Sequence, residues 1–259
     1  MKNPTHRVAS DPRRAGGFSL VELMVSILIG LFLIGGMLTL VQAMKRTSTN
    51  QGGLSQLQDN ERMAMTLITD VIKSTGYYPN PLVNSASTSF PVVSYGVNGN
   101  FTFAGEALVG TGTYGTGTNV ITSRYQTTGT DNIINCTGNT SAVAATFVNT
   151  FSLVGGSLTC TLIVNGGNPT SVALISGISA INIYYGVQTN NGAGTNSVDT
   201  YLDATAVTAG SYWNAVKSVK VTISFVNPMF GQPGQTNASQ QNIAFTRVIA
   251  VMNKNGVTT

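Results

Sequence analysis

The chain has 259 residues, of which 8% are charged, and a formal net charge of +4. That length suits one globular domain with an added segment, and so low a charge density suits an exported, turn-rich β domain better than a cytosolic enzyme. Four bases (Lys2, Arg7, Arg13, Arg14) against Asp11 place most of the positive charge in the first 17 residues. The remainder is nearly neutral, so the basic balance is not a nucleic-acid footprint, and no nucleic-acid partner is expected.

The chain opens with MKNPTHRVASDPRRAGG, a polar, basic stretch without an apolar run. It holds His6, the single histidine. Everything downstream therefore lacks the commonest general base and metal ligand, which removes Ser-His-Asp, Cys-His and His-zinc chemistry. An ordinary secretory signal places its small-residue cut site after the apolar segment. Here Ala15, Gly16 and Gly17 come before it, so a cut after Gly17 would leave the apolar segment on the mature protein.

From Phe18 to Met44 run 27 residues in which Glu22 is the sole formal charge. A carboxylate in hydrocarbon costs roughly 2.5–3.5 kcal/mol on insertion scales and needs a partner. A new amine at Phe18, on the same chain or a neighbouring copy, is such a partner. Leu23–Val41 is long enough to span a bilayer as a helix. Arg13 and Arg14 before it put the N-terminus on the cytoplasmic side, and Lys45 and Arg46 close the other end.

Gly17-Phe18-Ser19-Leu20-Val21-Glu22 resembles the class III leader junction of type IV pilins and pseudopilins. The resemblance implies cleavage between Gly17 and Phe18 by a prepilin peptidase, N-methylation of Phe18, and pairing of Glu22 with the terminal amine of an adjacent subunit in a filament. The bland alternative is a signal-anchor helix with a stray glutamate, which leaves the glycine site and the spacing unexplained.

The helix is expected to continue. Leu54, Leu57, Ala64, Ile68 and Val71, with Met65, Leu67 and Ile72 beside them, make an apolar stripe. Gly76 and Pro79 are stop signals. The glycine pairs Gly35-Gly36 and Gly52-Gly53 are either flexible points or places of close approach. The domain plan is a leader (1–17), a membrane or filament-core helix (18–45), an amphipathic periplasmic helix (46–76) and a β-rich head (77–259).

After Pro81, short strands are expected at Phe90–Tyr95, Val120–Tyr125, Ser157–Val164, Val172–Ile175 and Ile178–Val187. Two further strands follow from strict alternation, over Val219–Phe225 and Ile243–Val251, joined through Pro228, Gly231, Pro233 and Gly234. The Gly/Thr-rich Val109–Thr118 reads as a mobile loop. The fold class is α+β, with a long N-terminal helix packed on an antiparallel sheet head. Cys136 and Cys160 would pair in an oxidising compartment, a cross-link worth roughly 3 kcal/mol; two separate buried thiols are the alternative.

The run from Gly177-Ile178 through Tyr184-Tyr185-Gly186-Val187, then Val198-Asp199-Thr200-Tyr201, Trp213, Val216–Val221 and Phe245–Lys254, resembles PilW-type minor pilins. The resemblance implies a low-abundance pilin that primes or caps a type IV pilus in a tip complex. Its implied partners are the prepilin peptidase, other minor pilins and the major pilin, a tip adhesin and inner-membrane lipid. The implied location is the inner membrane, single-pass with a periplasmic head, and then the pilus tip. A minor pseudopilin of a type II secretion system is the runner-up. A DNA-uptake or adhesive module is a third reading, resting on Lys217 and Lys220 near Tyr212 and Trp213; against it, Lys220 reads as a wet strand face and Trp213 as core. The loop Gln188–Gly194, with Asp199 and Asp203 near, is poor in carboxylates for calcium and reads as a solvated turn. Neither a metal nor another cofactor is expected. Asp59, Glu61 and Asp70 read as helix-surface charges, and Asp131 lies among turn residues. No catalytic constellation stands out and no enzyme activity is expected.

Overall fold

With no proline between Pro12 and Pro79, nothing interrupts the backbone ladder, and one helix, α1, runs from Leu20 to Ser74. The computed structural model describes residues 17, 19–96, 99–190, 197–232 and 235–252. The leader up to Gly16, Phe18, residues 191–196 of the Asn/Gly loop, Pro233, Gly234, Asn253 and Lys254 lie outside the described residues. The chain divides into two compact parts, residues 1–51 and 52–259.

In the first part, the apolar side chains of α1 from Leu20 to Met44 are exposed. This stretch is long and apolar enough to cross a membrane. In the second part, α1 turns a stripe inward: Leu57, Ala64, Met65, Ile68, Val71 and Ile72 are buried and share one core with the strands. The helix ends because Gly76 takes φ 77°, a left-handed conformation that glycine adopts without a Cβ penalty. Its N–H then donates to the carbonyl of Arg124 (3.0 Å).

The head holds two further helices, α2 (Ala86–Ser89) and α3 (Ala204–Ala209), and eleven strands among the described residues. These are β1 (Val93–Ser94), β2 (Asn100–Phe101), β3 (Leu108–Thr111), β4 (Val120–Thr127), β5 (Ala145–Val154), β6 (Ser157–Val164), β7 (Thr170–Ser176), β8 (Ile178–Val187), β9 (Thr200–Leu202), β10 (Val216–Val226) and β11 (Asn242–Ala250). Strands β3 to β7 form a meander in chain order, and β11-β10-β8-β9 form a four-stranded sheet. β1 and β2 make a separate pair. All these ladders are antiparallel. The alternation of Val219, Val221, Ile223 and Phe225 with polar residues becomes the buried face of β10, paired to β11 from Ser218–Ala250 to Val226–Asn242.

Two expectations are corrected, and one strand is added. Only Val93–Ser94 of the expected strand Phe90–Tyr95 is a strand. Ser85 caps α2 just before it, and the carbonyls of Phe90 and Pro91 accept hydrogen bonds from Arg124 instead of a ladder. β5 has no counterpart in the sequence reading, because both of its faces are covered and the period-two signal vanishes. The segment Val109–Thr118 is not a free loop. It begins in β3, and Gly112–Thr118 is held by side chains far along the chain. Asn182 Oδ1 accepts from the amides of Gly115 (2.9 Å) and Gly117 (3.2 Å), and Asp203 accepts from the Tyr114 amide (3.3 Å). Thr118 makes a parallel bridge to Ile181, and Tyr114 stacks on Tyr184 with ring centroids 3.9 Å apart. The Gly/Thr segment thus ties the four-stranded sheet to the meander.

Candidate functional site

Among the described residues, two places hold charges in unusual settings. The first is the start of α1. Gly17 is exposed. The Leu23 amide donates to the carbonyl of Ser19 (3.1 Å), so the helical ladder is already formed there. Glu22 sits in the first turn, where the unpaired amides of a helix favour negative charge. Ser26 donates to the Glu22 backbone carbonyl (2.7 Å), and Glu22 itself is exposed. Leu20, Val21, Leu23 and Met24 around it are exposed. Glu22 is thus an acid in the first turn of an apolar helix whose side chains are exposed.

The second is the wall of the head formed by residues 90–96 and 99–107, which is organised by two buried charges. Arg124, on β4, is buried. It donates through Nε to the carbonyl of Glu106 (2.6 Å), through one terminal nitrogen to Pro91 (2.8 Å) and through the other to Phe90 (3.1 Å). Its guanidinium also lies over the rings of Phe101 and Phe90, contacts that favour a cation. Burial pulls its pKa down to about 10, against the opposing pull of Tyr95 and Glu106. The buried Glu106 carboxylate accepts from the amides of Thr102 (2.6 Å) and Phe103 (3.2 Å). Neither residue stood out in the sequence; an arginine inside an otherwise strand-like run was the available signal.

The other residues singled out earlier are distributed as follows. Cys136 and Cys160 form a disulfide with Cα atoms 5.8 Å apart. The Cys136 amide donates to Asn149 on β5 (2.8 Å), so the bridge and this bond fasten the β4–β5 connection onto the meander. Asp199 accepts from the amides of Asn190 (2.9 Å) and Thr189 (2.8 Å). These bonds, the Asn190 amide foremost, hold its carboxyl below the usual carboxylate range. Asp203 caps α3 through the Ala206 amide (2.9 Å). Both acids thus serve the backbone, and among the described residues no group of three His, Cys, Asp or Glu is placed to hold a metal. Trp213 is buried, edge-on to Tyr185, and Lys220 sits on the partly exposed face of β10. They do not form an aromatic-basic surface. Asp131 binds Thr127 and the amides of Thr128 and Ile133 and closes a turn.

Residues 12–38 match the prokaryotic N-terminal methylation motif. Residues 141–248 match the model of the type IV pilus-assembly protein W. The chain thus carries a PilW-like domain behind an N-terminal methylation motif. The methylation motif covers Gly17, Phe18 and Glu22 and ends inside α1. The PilW match runs from just before β5 into β11. A type IV-like pilin from Thermus thermophilus aligns over 76% of this chain and 97% of its own, at 11% identity and a TM-score of 0.44. No curated protein matches the chain.

Proposed function

We propose that this chain is a minor pilin that helps start or cap a type IV pilus. Its N-terminal segment is cut between Gly17 and Phe18 by a prepilin peptidase, and the new amine of Phe18 is methylated. The apolar half of α1 anchors the protein in the inner membrane, with the head in the periplasm. On assembly it exchanges lipid for the helices of other pilins, and Glu22 meets the terminal amine of a neighbour. The chain performs no catalysis; the work of extraction comes from elsewhere. Other minor pilins, the major pilin and a tip adhesin are its partners.

The observation that carries this reading is Glu22. It is the one charge between Phe18 and Met44, it sits within a methylation-motif match, and it lies in the first turn of a helix whose apolar surface is uncovered. The PilW match supports the pilus over the secretion pseudopilus. The test is Glu22→Ala in cells. The variant should still be processed, with a mature form that begins at methylated Phe18 by mass spectrometry, and it should be missing from sheared pili. Normal incorporation of the variant, or a mature terminus elsewhere, overturns the reading. Deletion of the gene should abolish surface pili and leave exoenzyme secretion intact; the reverse pattern would assign the chain to a secretion pseudopilus.

A further inference from the structure

The head contains a cleft. Its volume is about 700 Å³, within the roughly 300–1,000 Å³ typical of small-molecule sites. β3 and β4 contribute to its lining; Thr102 and Phe103 after β2 stand on one side, and Ser211 and Trp213 after α3 on another. Among the described residues, none lining it is Lys, Arg, His, Asp or Glu. A phosphate, a carboxylate or a metal ion would find no counter-charge there.

What the cleft does offer is hydroxyl, amide and aromatic surface. The hydroxyls of Thr102, Thr111 and Ser211 make no hydrogen bond among the described residues, and these residues are exposed. Asn100 uses only its Oδ1, which accepts from Ser94, and its amide nitrogen is left to donate. A lipid tail would strip water from these four groups without replacing their hydrogen bonds, at a cost of about 1–3 kcal/mol each. Phe103 is 45% exposed, whereas Trp213 beside the same cleft is only 4% exposed. A phenyl ring open to water next to uncommitted hydroxyls asks for a neutral ligand with one apolar face and several hydroxyls.

The walls are held in advance. The backbone of Thr102 and Phe103 is fixed by the buried Glu106. Trp213 is fixed through its indole N–H, which donates to Thr208 (3.1 Å). Such support places side chains without an ordering cost at binding.

We propose that this cleft binds an uncharged sugar residue of a glycan. The sugar lays its C–H face on Phe103 and exchanges hydrogen bonds with Asn100, Thr102, Thr111 and Ser211. No lining residue comes from α1, so this inference and the assembly reading stand or fall separately.

The test uses the full chain in lipid nanodiscs free of glycolipid and of sugar-headed detergent. The probe is a printed array of oligosaccharides ending in neutral hexoses or N-acetylhexosamines, with sialylated and sulfated ones alongside. Neutral glycans should be retained and acidic ones passed over. For the best neutral glycan, Phe103→Ala should weaken binding at least tenfold and Thr111→Val several-fold, with the unfolding temperature of both variants unchanged. An array without retained neutral glycans overturns the proposal. So does equal retention of acidic ones, binding that ignores both substitutions, or capture of extended peptides in place of sugars.

Discussion

Arg124 holds its guanidinium carbon 4.0 Å from the ring centroid of Phe101 while its nitrogens bind the carbonyls of Phe90, Pro91 and Glu106. One side chain on β4 therefore fastens the wall that carries Thr102 and Phe103. Replacing it with methionine would leave the carbonyls of Pro91 and Glu106 without donors, each costing about 1 kcal/mol or more, while that of Phe90 keeps the Gly105 amide (2.8 Å). Arg124→Met is expected to lower stability by about 2 kcal/mol, and Arg124→Lys by less, because lysine keeps the charge but loses the planar fork. Thermal unfolding checks the ranking. Faster hydrogen exchange at the Thr102 and Phe103 amides would locate the damage.

Tyr185 presents the opposite case. Its hydroxyl is buried without a hydrogen-bond partner against Gly110, where a Cβ would stand only 2.0 Å from it. Tyr185→Phe should therefore raise stability, by about 1 kcal/mol at neutral pH. Burial also pushes the Tyr185 pKa upward. The folded form keeps the phenolic proton while unfolded tyrosine loses it near pH 10, so wild-type stability falls as pH rises above 10. Denaturant titrations at pH 8 and pH 10.5 should show the margin of the Tyr185→Phe variant widening at the higher pH. An unchanged margin would mean that the hydroxyl ionises freely.

The Cys136–Cys160 bridge spans 24 residues. In the chain-entropy picture a loop of that size stabilises by roughly 3 kcal/mol. The double variant Cys136→Ser/Cys160→Ser should lose about that much, read from the shift in denaturant midpoint. The β4–β5 connection, deprived of its covalent fastening, should become the first site of proteolytic nicking.

Adjacent glycines in α1 are expected to respond in opposite ways. A Cβ at Gly52 would meet nothing within 4 Å, whereas one at Gly53 would stand 2.9 Å from the Cβ of Pro228. Gly52→Ala should gain up to about 1 kcal/mol from helix propensity. Gly53→Ala should lose that gain to the clash, since the proline ring cannot swing aside. Melting temperatures of the two variants, compared with wild type, decide it. A stabilised Gly53→Ala variant would show that Pro228 yields.

Local pattern was enough for α1, for the stop at Gly76, and for the strands β10 and β11, because helical and strand periods write themselves into neighbouring residues. The oddity of Glu22 was legible for the same reason: a charge in an apolar run costs energy wherever the run lies. Other features depend on partners tens of residues away. β5 lost its alternation because chain from both sides covers it. The Gly/Thr segment after β3 gained its order from Asn182 and Asp203, and Arg124 gained its role from Phe90, Phe101 and Glu106. The cleft exists only because Asn100–Phe103, β3 and Ser211–Trp213 converge. Sequence alone determined where this chain could enter a membrane and where its helix and last strands lie. Tertiary structure decided which polar groups are used up internally and which remain to meet a ligand, since hydrogen-bond satisfaction is a property of the packed whole.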